Sequence, residues 1–202
     1  QQIDDLLLES GIDKNRLLGV GIGVPGVIDY KNNYSVFFER INGWENVLIG
    51  DIIQEYIGKP VYICNDVNLI SWAERKVAHL EYIKNMLYII IRSGIGMAIW
   101  NDGSLMQGEM GNSGRIGHMT VDKNGLQCKC GNRGCLGLYT SEKSMIRMYG
   151  ELTGKELKWA GELFPLAEAG DAAALQVFET CGRYLGTGIV NVANLFDISE
   201  VV

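Results

Sequence analysis

The sequence predicts an α/β protein built as two lobes, and three observations carry that expectation. A run reading as a buried strand, LLGVGIGV at 17–24, is stopped by Pro25-Gly26. A second, VYIC at 61–64, passes through Asn65-Asp66 into a helix. An apolar block at 86–100 is broken once by a turn, after which the chain becomes Gly-rich and then mainly helical. Taken in order, residues 3–9 (IDDLLLE) have the spacing of an amphipathic helix that Gly11 ends. The strand at 17–24 leads into an irregular stretch holding Asn32-Asn33, then a short helix at 48–57 that Gly58-Lys59-Pro60 breaks. The strand at 61–64 and the helix at 68–79 meet at Asn65-Asp66, the carboxyl end of a strand, where α/β folds gather ligand groups. Ser93-Gly94-Ile95-Gly96 is expected to turn a hairpin within 86–100. Residues 103–138 show weak periodicity, and 141–195 read as helices. The change of character places a lobe boundary between 84 and 85, giving an N-terminal lobe in 1–84 and a C-terminal lobe in 85–202.

At 202 residues, 47% hydrophobic and 21% charged, the composition excludes collagen, coiled coil and disorder. The longest apolar runs, such as Met86–Ile91, fall far short of the roughly 20 residues of a membrane helix, so no membrane partner is expected. No basic start followed by an apolar stretch and small-residue cleavage site is visible, which makes a cytoplasmic protein the expectation. Eighteen Lys and Arg against 24 Asp and Glu, a net charge of -6, exclude the basic excess of a free-standing nucleic-acid module.

Three of the five cysteines crowd together, and an odd number argues against a disulfide framework. Cys64 and Cys181 lie in apolar patterns and read as small core residues. His118, Cys128, Cys130 and Cys135 supply one imidazole and three thiols within 18 residues, the donor set of a Cys₃His zinc site. Gly131 and Gly134 allow the Cys-Lys-Cys-Gly-Asn-Arg-Gly-Cys turn to close tightly. With all four positions filled by protein, such a zinc is structural and leaves no place for water. The other reading of these residues is three reduced cysteines in a loop with an unrelated histidine.

The stretch GNSGRIGHMTVDKNGLQCKCGNRGCLGLYTS, residues 111–141, closely resembles the signature of the ROK family of repressors, uncharacterised reading frames and sugar kinases. GVGIGVPGVID at 19–29, NDVN at 65–68 and SGIG at 93–96 follow the family's order. The wording GWENV at 43–47 and LYTSEK at 138–143 is most like the xylose-repressor type of regulator. The resemblance implies a two-lobed actin-like ATPase fold of the ribonuclease H-like kind, with a sugar cleft and a zinc-braced loop beside it. It also implies that the chain is truncated at both ends, lacking the first phosphate loop and the adenine-packing glycines. By the same resemblance Asp66 matches the catalytic base of kinase members, Asn65 a sugar-hydroxyl ligand, and Gly26 the turn that approaches the sugar. His118 holds zinc through one ring nitrogen while the other can address the sugar, and Ser93, Gly94 and Gly96 match the phosphate turn. Read without the resemblance, Asn65-Asp66 is also a plain helix N-cap.

The chain departs from the family at functional positions. Arg115 stands where a sugar-binding glutamate is usual, and Gly137 replaces a second one. Arg115 either engages an anionic group on the ligand or is a solvated surface residue. In the phosphate turn Arg92 occupies a position that kinase members give to glycine, where an arginine could pair with phosphate but its bulk favours filling the cradle. These features favour the sugar-sensing core of a ROK-type transcriptional regulator whose DNA-binding domain lies outside the segment. The alternatives are an ATP- and Mg²⁺-dependent sugar kinase using Asp66, and a zinc-braced pseudoenzyme scaffold. The resemblance further implies homodimers or homotetramers. Trp44, Trp72, Trp100 and Trp159 read as packing residues, His79 as a helix end, and Gly182, Gly186 and Gly188 as sites of close packing on the helix at 171–195.

Overall fold

The structure is a computed structural model and describes residues 2–202. Its elements in chain order are α1 (Gln2–Ser10), β1 (Val20–Val24), β2 (Val27–Asp29), β3 (Tyr34–Phe37), β4 (Glu45–Val47), α2 (Ile49–Ile57), β5 (Val61–Asn65) and α3 (Asp66–Val77). Next come β6 (Met86–Ile91), β7 (Ile95–Asn101), β8 (Ser104–Leu105), α4 (Gly137–Thr140), α5 (Glu142–Thr153), α6 (Leu163–Glu168), α7 (Ala172–Phe196) and β9 (Glu200–Val201). The α/β class expected from sequence is therefore present. No helix among the described residues is long and apolar enough to cross a membrane.

Contacts divide the chain into two compact units, one running through Glu74 with Gln107–Asn112, the other comprising Arg75–Met106 with Ser113–Val202. The division falls inside α3, where Arg75 is fastened to other residues of the second unit. One guanidinium nitrogen donates to Glu81 O and Ile83 O at 2.8 Å each, and the group lies 4.5 Å over the Trp100 ring.

In the first unit β1 and β5 pair in parallel, from Val20 opposite Val61 to Val24 opposite Asn65. The pairing begins at Val20, not Leu17, and Leu18 is 92% exposed. The irregular stretch expected after Gly26 is instead an antiparallel meander in the order β2-β3-β4. Val24, Ile28 and Ile63 form the unit's buried core, with Trp44 packed against it and its indole N–H donated to Ser35 Oγ at 2.8 Å. Gly58 ends α2 in the left-handed conformation and returns its N–H to Gln54 O at 2.8 Å.

The second unit holds a four-stranded sheet ordered β8-β7-β6-β9, in which only β6 and β9 run parallel. One core gathers Leu87, Met97, Ile99, Ile116, Leu136, Val192 and Ile198; a second gathers Tyr149, Leu163, Ala174 and Val177 among the closing helices. Ser141 and Asp171 cap α5 and α7 through their side chains, accepting from Ser144 N and Ala174 N. Along α7 only Gly188 is in close contact, where a Cβ would lie 2.7 Å from Leu136, whereas Gly182 and Gly186 face open space. Trp72 and Trp159 are more than half exposed, so the packing role expected of the four tryptophans holds for Trp44 and Trp100 alone.

Candidate metal centre and ligand-binding residues

In the second unit the loop after the short 3₁₀ turn at Ile116–His118 folds back on itself through backbone pairing and side-chain bonds to its carbonyls. Thr120 bridges to Cys135 and Gln127 to Arg133, and Leu136 N donates to Met119 O at 2.8 Å. Between the bridges Cys128 N donates to Asn132 O at 2.8 Å, and the Gln127 side-chain amide donates to Cys128 O, Gly131 O and Asn132 O. The result brings together the four residues expected as ligands. The donor atoms of His118, Cys128, Cys130 and Cys135 all lie within 4.8 Å of one another.

The spacing fits one metal ion. Cys128 Sγ is 3.8 Å from His118 Nδ1 and Cys130 Sγ is 3.6 Å from Cys135 Sγ. A tetrahedral site with zinc–sulfur bonds of about 2.3 Å and a zinc–nitrogen bond of about 2.0 Å has sulfur–nitrogen edges of about 3.5 Å and sulfur–sulfur edges of about 3.8 Å, each within about 0.3 Å of the distance here. The proton chemistry agrees. The N–H of Asn132 holds the exposed Cys130 thiol down at about 7, while burial, reinforced by the two neighbouring sulfurs, pushes Cys135 up to about 12. Ionising three sulfurs this close together would require a cation among them. Nδ1 is the imidazole nitrogen that faces the sulfurs, which sets Nε2 on the opposite side of the ring. Arg115 is half-buried at the start of the same 3₁₀ turn.

Gly26, Asn65 and Asp66 come together in the first unit. Asn65 Oδ1 accepts the N–H groups of Val67 and Asn68 at 3.0 and 3.2 Å, so this side chain is the cap of α3. Its Nδ2 donates to Gly26 O at 3.0 Å, which ties the helix start to the Pro25-Gly26 turn. Gly26 has φ +94, and a Cβ there would sit 2.2 Å from Phe37 O, so only glycine fits. Asp66 is the first residue of α3 and half-buried.

The turn between β6 and β7 is tighter than the sequence indicates. Ile91 pairs with Ile95 and Ile90 with Gly96, so Gly96 is a strand residue and Arg92, Ser93 and Gly94 make the turn. Arg92 N donates to Gly94 O at 2.7 Å, and Arg92 O accepts from Glu142 N at 3.0 Å. Sequence reasoning missed Tyr30 and Asn68, which join the Asn65 cluster: Asn68 Nδ2 donates to the Tyr30 phenol at 2.9 Å. Cys181 is buried, as expected of a core residue, and donates to Tyr139 O at 2.9 Å, whereas Cys64 is only partly buried.

A family model described as "ROK family" matches residues 1–202. The chain is 36% identical over 187 residues to a xylose repressor of Bacillus spizizenii, covering 92% of this chain and 47% of that protein. It is 31% identical over 210 residues to a glucokinase of Halalkalibacterium halodurans, covering 94% of this chain and 61% of that one. Among solved structures, a ROK family transcriptional regulator described as a homolog of the E. coli MLC protein superposes with a TM-score of 0.88 at 28% identity, over 99% of this chain and 52% of that chain. The chain spans about half the length of the curated repressor it matches.

Proposed function

Because this chain belongs to the ROK family, we propose that it is the sugar-sensing core of a transcriptional regulator that works with a DNA-binding domain carried outside these 202 residues. His118, Cys128, Cys130 and Cys135 would hold a zinc ion, which when bound supplies a rigid tetrahedral pin for the loop. Gly26, Asn65, Asp66, Arg115 and the zinc-bearing His118 are the proposed sugar-binding residues. Sugar occupancy then shifts the population between conformations that bind the ligand unequally, which is how a small molecule reaches a distant DNA contact. The division into actin-like lobes near residue 84 and assembly as a homodimer or homotetramer belong to the same proposal.

The observation that carries the regulator reading over the kinase reading is the turn at Arg92–Gly94. A phosphate cradle needs outward backbone N–H groups. The Arg92 N–H is spent on Gly94 O at 2.7 Å, and a long side chain stands where the resemblance implies glycine. Identity to a xylose repressor supports the same side. The kinase alternative, with Asp66 as base and Ser93, Gly94 and Gly96 at ATP and Mg²⁺, is favoured by the glucokinase relative.

The test is thermal melting of the full-length protein with D-xylose, D-glucose and D-glucuronate, the last included for its carboxylate and Arg115. One of them at about 100 times its Kd is expected to stabilise the protein by about 2.7 kcal/mol, raising the melting temperature by several degrees, with no sugar-dependent ATP turnover. ATP turnover that disappears in Asp66→Asn would establish the kinase alternative. No shift with any sugar would leave a metal-braced scaffold.

A further inference from the structure

We infer that Tyr30 is a positioning residue for the Asn65–Asp66 junction, an inference that rests on the reading of those two residues as ligand groups. Tyr30 directly follows β2, and its phenol oxygen receives hydrogens from two residues of the junction. Asn68 Nδ2 donates to it at 2.9 Å and the Asn65 backbone N–H at 3.4 Å. Burial, aided by the neighbouring Cys64, raises the phenol above its ordinary value, so it stays neutral and keeps its hydrogen.

The junction is consequently held from two sides. Asn65 Nδ2 ties it to Gly26 O on one side, and the Tyr30 phenol ties residues 65 and 68 on the other. Asn68 is only 4% exposed, so its Nδ2 has little water to turn to if the phenol is lost. An unpaired buried donor is costly, and the relief available is rotation of the Asn68 side chain and loosening of the first turn of α3. That turn carries Asp66 and is capped by Asn65 Oδ1. Tyr30 touches no ligand in this scheme and acts only through Asn65 and Asn68.

Tyr30→Phe in the full-length protein tests this, with D-xylose and D-glucose as probes in calorimetric titrations well below the melting temperature. Binding should weaken about fivefold to tenfold, and Tyr30→Phe should add no further loss in an Asn65→Ala background. A lower melting temperature with wild-type affinity would overturn the inference, as would a full additional loss in the double variant. Should the wild type bind neither sugar, the ligand reading fails, and hydrogen exchange at the amides of Val67 and Asn68 decides the positioning role. About tenfold faster exchange confined to those amides supports it; unchanged or uniformly faster exchange overturns it. Asn68→Ala gives the same readouts if Tyr30→Phe does not fold.

Discussion

Cys135→Ala is expected to cost the full-length protein its proposed zinc, about one equivalent per chain, and on the order of 3 kcal/mol or more of stability. Cys135 is fully buried, its sulfur lies 3.6 Å from Cys130 Sγ, and its backbone bridges to Thr120. Removing it leaves three donors where a closed site needs four, and opens a void beside Leu136, which is also fully buried. Elemental analysis and a thermal melt of the same sample check both parts. A variant that keeps its metal would show that Cys135 is an ordinary core thiol. A variant that loses the metal without destabilisation would show that backbone pairing alone suffices to brace the loop.

Gly134→Ala is expected to do comparable damage without removing any donor. Gly134 has φ +64, and a Cβ there would fall 1.6 Å from the carbonyl oxygen of Asp122. The same glycine accepts from Val121 N and donates to Leu126 O, both at 2.8 Å, so the clash pushes apart the segments that set Cys135. Because the obstructing atom is backbone, it cannot swing aside, and the expected loss is about 3 kcal/mol together with weaker metal retention. Gly131→Ala is the control. Its φ of +95 is equally left-handed, yet no atom lies within 4 Å of the added Cβ. It should cost only the backbone term, about 1–2 kcal/mol. Equal losses in the two variants, measured by denaturant unfolding, would mean that the close approach of Gly134 to Asp122 does not govern loop closure.

How much of the molecule is legible in its sequence depends on how local each signal is. The metal cluster is legible because its four donors fall within 18 residues and its turn glycines are in the same segment. The end of α2 is legible through Gly58, which takes the left-handed cap. The junction at Asn65-Asp66 is visible as a strand running into a helix, and the structure has there both the cap and the tie to Gly26. The meander at β2–β4 is not legible, since strands of three or four residues are too short to show alternation. Gly96 is misplaced into the turn because a hairpin's register is set by pairing across the sheet, here Ile90 with Gly96. Tyr30 carries no motif; its partners Asn65 and Asn68 lie 35 and 38 residues away in sequence. Arg75 carries no motif in the sequence, and the tertiary structure lays it on Trp100, 25 positions away.

The most direct measurement is zinc K-edge X-ray absorption on the full-length protein with its metal content quantified. The expected result is about one zinc per chain in a shell of three sulfurs at about 2.3 Å and one nitrogen at about 2.0 Å. A folded, metal-free protein, or zinc in a shell of oxygens, would contradict it.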